Sequence, residues 1–306
     1  MSRIVRIGAA QLGPIARDVS RSRVVERLVG LLEKAAAAKC DLVVYPELAL
    51  TTFFPRWFME DQRDVDMYFE FSMPSAETQP LFDAAKRLGV GFYLGYAEAV
   101  VENGQDRRFN TSILVGKDGD TIGKYRKIHL PGHTEPRPSD PFQHLEKRYF
   151  EVGDRGFPTW EAFGGTVGMC ICNDRRWPET FRTLGLQGVE LVLVGYNTPT
   201  HNPANPQPAE IREFHNLLCL QAGAYQNSTW VVGVAKAGKE EGVDMMAGTA
   251  IVAPDGTVRG KSATLGDELV VAECDLDECN AGKRTEFNFS ENRRPEFYGA
   301  ISERRC

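Results

Sequence analysis

Ile4–Gln11 (IVRIGAAQ) is apolar at nearly every position, and a segment with helical spacing separates it from a second apolar run at residues 41–45 (DLVVY). Strands that read this way are covered on both faces, and a parallel pair needs a crossover helix between its members. Val24, Leu28, Leu31, Leu32 and Ala35 recur at the spacing of that helix. The chain therefore opens as a β-α-β unit. Leu81, Ala84, Ala85 and Leu88 mark another helix, ended at Gly89, and a further strand follows from Val90 (VGFYLGYAEAV).

Turn chemistry then changes the pattern. Residues 111–115 and 121–125 flank KDGD, and residues 249–253 and 258–261 flank PDG, so both pairs read as hairpins. Between them lie a strand (ELVLVGYN), a helix carrying Ile211, Phe214, Leu217, Leu218 and Leu220, and the strand TWVVGVAK. Helices alternating with strands, with hairpins inserted, predict an α/β chain in which two sheets pack together with helices outside. No linker, repeat or charge block divides the sequence, so residues 1–306 read as one domain; 283–306, weakly periodic and rich in charge, read as a solvated tail or as an arm that packs on a neighbouring subunit.

The formal charge of −6 argues against general affinity for nucleic acid or an anionic membrane surface. No stretch approaches the ~18 apolar residues of a membrane span, and the first residues (MSRIVRIGAAQ) carry no run of signal-peptide length. The expected location is cytoplasmic. Seven cysteines at irregular spacing predict free thiols rather than a disulfide framework.

Ligands in α/β sheets gather beyond the carboxyl ends of strands, and three chemically useful side chains fall there. Glu47 follows DLVVYP, Lys127 follows the second strand of the first hairpin, and Cys172 closes VGMCIC. Each has an ordinary alternative as a loop carboxylate, a surface lysine or a core cysteine. Together they make sense, because a thiol needs a base to take its proton and a cation to hold the charge that develops. A metal site is the rival use of Cys170 and Cys172, which share a strand face as residues i and i+2. Two further ligands at short fixed spacing are missing from the sequence, and Glu47 and Lys127 give the thiol another purpose. Neither a metal nor an organic cofactor is expected.

In this order the motifs YPELALT (Glu47), GKYRKIHL (Lys127) and CICNDRRWPE (Cys172) resemble the three blocks of the nitrilase, or carbon-nitrogen hydrolase, superfamily. The resemblance runs from AAQ near the start to the IVAPDG hairpin. It implies a four-layer α-β-β-α sandwich assembled as a homodimer or homotetramer. It also implies a Cys172 nucleophile, Glu47 as general base, Lys127 with a backbone N–H near Asn173 as oxyanion support, and Glu146 (FQHLEKRYF) as a second glutamate near the site.

The blocks ELALTTFFPRW, HLPGH, PFQHLEKRYFE, NDRRWPE and GYNTPTHNP further resemble the N-carbamoyl-D-amino acid amidohydrolase branch. By that resemblance Arg175 and Arg176 clamp a substrate carboxylate, Asn173, Asn197 and Thr198 complete the pocket, and His129, His144 and His215 lie near it. An Arg pair suits this role because each guanidinium offers a planar fork to a carboxylate. His144 and His215 fall on predicted helices among apolar neighbours, where they read at least as well as hydrogen-bonded core histidines. The segments TEPRPSDP and ANPQPAEIREF depart from the branch pattern and are expected to border the side-chain pocket. Two alternatives keep their place: an aliphatic amidase, nitrilase or β-ureidopropionase-like enzyme using the same triad, and a non-catalytic interaction protein.

Overall fold

The computed structural model of the chain describes residues 2–304, in which two six-stranded sheets lie face to face. The first holds β1 (Ile4–Gln11), β2 (Leu42–Val44), β3 (Gly91–Glu102), β4 (Gln105–Val115), β5 (Thr121–Arg126) and a late strand, with the late strand beside β1. The second holds β6 (Thr159–Ala162), β7 (Gly165–Ile171), β8 (Leu191–Tyr196) and β9 (Trp230–Ala235), then β12 (Ala250–Val252) and β13 (Val258–Lys261), in the order β13-β12-β9-β8-β7-β6. Between them in sequence, β10 (Ala237–Glu240) and β11 (Val243–Met246) pair as a separate hairpin. The late strand is β14 (Glu268–Asp275), antiparallel to β1 from Ile4 opposite Asp275 to Gln11 opposite Glu268.

Helices cover the outer faces. α1 (Arg21–Ala37) begins at Ser20, whose side chain accepts from the Arg23 N–H, and it sends Val25, Leu28, Leu31 and Leu32 onto the first sheet. A short α2 (Gln62–Asp66) precedes α3 (Gln79–Leu88), which packs beside α1 and stops at Gly89 in the left-handed region (φ +65). After the one-turn α4 (Glu146–Tyr149), α5 (Pro178–Leu186) and α6 (Ala209–Asn227) cover the second sheet through Phe181, Leu184, Leu220 and Ala224. The inner faces of both sheets share one core, with Val5, Ile7, Leu42 and Val44 meeting Met169, Leu193, Val232 and Val234. This is the expected four-layer α-β-β-α arrangement.

The strand β14 and the hairpin β10–β11 were not legible in the sequence. β14 is half-exposed along most of its length, so it lacks both the continuous apolar run and a clean two-residue alternation. The start of the C-terminal arm touches its own chain, and from residue 291 to 304 the arm is mostly exposed. α7 (Cys279–Lys283) places the Lys283 ammonium on the carbonyl of Val189 at 2.6 Å, Phe287 meets the Tyr225 ring edge-on, and α8 (Phe289–Asn292) puts Phe289 under Arg182. A last turn, α9 (Gly299–Glu303), leaves Ile301 exposed, and the final two positions of the arm lie outside the described residues. No helix among the described residues is long and apolar enough to cross a membrane. Six cysteines are described, and all are free thiols.

Candidate active site

Two parallel strands of different sheets deliver the first functional groups. Pro46 and Glu47 follow β2, and Cys172 follows β7 at the same rim of the sandwich. The two sheets pinch the backbone that carries Glu47. A Cβ on Gly95 of β3 would lie 2.8 Å from Glu47 Cα, and one on Gly195 of β8 would lie 2.7 Å from Glu47 N. Both contacts are with backbone, so neither side gives way cheaply, and glycine is what permits the close approach. Tyr93 of β3 stitches the same seam by donating to the Cys170 carbonyl at 3.1 Å and accepting from the Gly195 N–H at 3.2 Å.

Glu47, Lys127 and Glu146 form one fully buried ionic cluster. The Lys127 ammonium donates to Glu47 Oε1 at 2.6 Å and Glu146 Oε2 at 2.5 Å. Asn110 of β4 donates to Glu47 Oε1 at 2.8 Å and lies 3.4 Å from Glu146 Oε2, while its carbonyl accepts the Lys127 N–H at 2.8 Å. Glu146 reaches the cluster because the Leu145 N–H donates to the Pro55 carbonyl at 2.8 Å and Tyr149 and Phe150 pack on Phe54. An unpaired charge could not remain ionised here, and the shared ammonium makes two buried carboxylates tolerable. The cluster had one member without a sequence signal: Asn110 stands in the strand segment RFNTSILV, half of it polar, where a polar residue facing the seam looks the same as one facing solvent.

Burial pushes the Glu47 carboxyl above the usual range, with Lys127 opposing and the charge of Glu146 reinforcing the rise. Glu146 moves the other way: burial would raise it, but the nearby Lys127 ammonium and the His144 hydrogen bond bring it below the ordinary glutamate value. Lys127 is held firmly protonated, because the negative groups around it outweigh its burial. Glu47 Oε2 has no hydrogen-bond partner among the described residues, and the Cys172 thiol is one of the groups that act on the Glu47 carboxyl. Burial raises the Cys172 pKa, the charge of Glu47 raises it further, and Lys127 and Arg175 oppose. The resting pair is therefore a thiol facing a carboxylate of raised basicity, which is the state from which proton transfer begins.

Cys172 stands at a sharp turn. β7 ends at Ile171, and Cys172 adopts φ +48, a left-handed conformation that costs a side-chain-bearing residue about 1–3 kcal/mol. The face parity that links Cys170 to Cys172 along a strand thus stops one residue short of Cys172. Cys170 is core; Cys172 opens onto a cavity. Asp174 holds the turn closed. Its carboxylate accepts from the Ile171 N–H at 2.9 Å, the Tyr125 hydroxyl at 2.8 Å and the His129 N–H at 2.9 Å, and it lies 2.8 Å from His129 Nδ1. It bolts the turn of Cys172 to the loop of Lys127, a role the sequence did not announce.

A cavity of about 540 Å³ opens over Cys172. Asn173, Arg176, Asn197, Thr198 and His144 line it, as expected, and Thr198 Oγ1 lies 3.9 Å from the Cys172 sulfur. Asn197 is 1% exposed, yet neither its side-chain oxygen nor its side-chain nitrogen has a hydrogen-bond partner among the described residues. Such a group is costly unless something else pairs with it. Arg176 is exposed to the cavity and anchored by Asn173 Oδ1 at 3.1 Å; the protein around it, then the like charges of Arg175 and Arg212, lower its pKa to about 10. It stays cationic at neutral pH.

Two expected substrate-binding residues are placed elsewhere. Arg175 is 2% exposed and does not line the cavity. Its guanidinium is spent on Asn216 Oδ1 at 2.9 Å, the Cys172 carbonyl at 2.6 Å and Thr198 Oγ1 at 3.3 Å, over the Tyr196 ring. The paired clamp is corrected accordingly: Arg176 alone of the two faces the cavity. His129 is also withdrawn, because its ring is fixed by Asp174 and stacked on Trp177 at 4.9 Å. His144 faces the cavity and also bonds Glu146 Oε1 at 3.2 Å; it lies just before α4 rather than within a helix. His215 is on α6 as expected but lines the cavity instead of the core.

Residues 6–284 match the carbon-nitrogen hydrolase family. The chain belongs to that family. It is a hydrolase acting on carbon–nitrogen bonds. A nitrilase of Pyrococcus abyssi is 28% identical over 297 residues, covering 96% of this chain and 99% of the relative. An N-carbamoylputrescine amidase of Arabidopsis thaliana is 28% identical over 285 residues, covering 89% of this chain and 87% of the relative. The crystal structure of a carbon-nitrogen hydrolase from Helicobacter pylori G27 superposes with a TM-score of 0.84 at 23% identity, covering 99% of each chain, and so shares the fold.

Proposed function

We propose that this hydrolase converts N-carbamoyl-D-amino acids to the D-amino acid, ammonia and carbon dioxide through a thiolate at Cys172. The observation that carries the reading is the cavity over Cys172, where Arg176, in no ion pair among the described residues, and a buried Asn197 without a side-chain partner among them await an anionic polar ligand. The relative named N-carbamoylputrescine amidase supports a carbamoyl substrate. The cations lining this cavity favour an acid over an amine, and the D configuration is supported by the motif resemblance.

In this mechanism Glu47 takes the Cys172 proton as sulfur attacks the ureido carbonyl. Two of the Lys127 N–H bonds are occupied by Glu47 and Glu146, and the third is available to the oxyanion with a backbone N–H near Asn173. One C–N bond breaks, its nitrogen leaves with the proton returned by Glu47, and a carbamoyl thioester remains. Water, deprotonated by Glu47, then displaces the sulfur. The carbamic acid so formed decomposes to carbon dioxide and the second amine, so the products are the same whichever nitrogen leaves first. Arg175 holds the Cys172 carbonyl, and Asp174 holds the turn.

Ammonia release tests the reading on N-carbamoyl-D- and L-amino acids, N-carbamoyl-β-alanine, N-carbamoylputrescine, simple amides and nitriles, with Cys172→Ala as blank. Turnover of the D acids ahead of the rest is expected. Faster turnover of L acids sinks the stereochemical claim, and a preference for the amine or for neutral amides sinks the acid claim. The exposed apolar side chains Ile211, Phe214, Leu218 and Tyr225 on α6 support assembly as a homodimer or homotetramer, which sedimentation measures.

A further inference from the structure

Arg212 lies in ANPQPAEIREF, outside the matched motif blocks, in the first turn of α6. With His215 and Cys219 it forms one stripe at helical spacing that lines the cavity over Cys172. Three features make its position unfavourable in the free protein. A cation in the first turn of a helix opposes the helix dipole. Its Nε is buried with no hydrogen-bond partner among the described residues. Burial, then the like charge of Arg175, work against its protonation, and Cys172 rather than a carboxylate is the group that opposes them.

All three costs fall when an anion enters. We propose that Arg212 is a specificity residue that binds the side-chain carboxylate of an acidic substrate, so that the preferred substrates are N-carbamoyl amino acids with two carboxylates. This rests on the functional reading above, in which Arg176 takes the α-carboxylate. The cavity lining carries three arginines, Arg137, Arg176 and Arg212, against one carboxylate, Asp140. The excess of two positive charges matches a dicarboxylate and exceeds what a single carboxylate neutralises. Arg176 comes from the turn after β7 and Arg212 from α6, so the two forks approach from different elements of the fold.

The test is the ratio of kcat/KM for N-carbamoyl-D-aspartate and N-carbamoyl-D-glutamate to that for N-carbamoyl-D-alanine. A charge-assisted hydrogen bond is worth roughly one to two orders of magnitude in affinity, so wild type should favour the diacids by about 10-fold or more. Arg212→Gln should lower the ratio by about 10- to 100-fold, through KM, and Arg212→Lys should keep most of it. Arg176→Gln should depress all three substrates together and leave the ratio near wild type. Calorimetric binding of the same compounds to Cys172→Ala, with and without Arg212→Gln, gives the answer free of turnover. Hydrolysis of N-carbamoyl-D-alanine with no diacid preference, or a ratio unmoved by Arg212→Gln, overturns the role of Arg212 alone. Equal losses on mono- and diacids would mean that both arginines hold one carboxylate, which also overturns it. Failure of wild type on all three compounds overturns the functional reading and this inference with it.

Discussion

Arg175→Met separates an arginine that builds the site from one that binds substrate. Methionine keeps an apolar stem against the Tyr196 ring but removes the fork that reaches Asn216, the Cys172 carbonyl and Thr198. Two buried acceptors, Asn216 Oδ1 and the Cys172 carbonyl, then lose their donor, at about 1–3 kcal/mol each. Relief of the buried guanidinium's desolvation offsets part of this, leaving a net loss of roughly 2–4 kcal/mol. For a chain of this size that corresponds to a fall in Tm of roughly 3–6 °C. The carbonyl released is that of Cys172 itself, held at φ +48, so the turn that aims the sulfur loosens as well. The expected kinetic signature is a lower kcat on every substrate, acid or neutral, with KM changed little. Differential scanning calorimetry and steady-state kinetics on one acid and one simple amide measure both effects. An unchanged Tm with a rise in KM confined to acids would refute the reasoning and return Arg175 to the substrate clamp.

Lys127→Ala should lower kcat by about 10²–10³ or more, because it removes an oxyanion donor and leaves Glu47 and Glu146 without their shared cation; stopped-time ammonia assays decide. Gly195→Ala should destabilise the fold by about 1–3 kcal/mol and cut kcat, since its Cβ would lie 2.7 Å from Glu47 N; a melt and a rate at wild-type values would exclude the pinched seam. Activity requires Glu47 ionised, and its pKa lies above the ordinary 4.5, so kcat/KM should fall with decreasing pH through that raised value. The charge of Glu146 contributes to the rise, so Glu146→Gln should move this acid limb to lower pH, read from the pH profile of the residual activity.

What the sequence carried well was the placement of chemistry at strand ends. Glu47, Lys127 and Cys172 each follow a strand, and adjoining strands of stacked sheets bring such ends to one rim. What it could not carry was direction. Arg175 and Arg176 are neighbours of identical chemistry, and the strand that precedes them suggests a common fate; the tight turn from Cys172 to Arg176 rotates one guanidinium into the core and the other into the cavity. Asn110 and Asp174 were invisible for the same reason, since a buried polar residue is meaningful only through the partners that tertiary structure supplies. Arg212 is the converse case. It lies in a segment set aside in the sequence for breaking the familiar pattern, and its Nε, unpartnered among the described residues, becomes informative once α6 brings Arg212 to the cavity over Cys172. The shared motifs account for the reaction at the sulfur, and the divergent segments border the space where the rest of the substrate lies, so selectivity is to be sought there first.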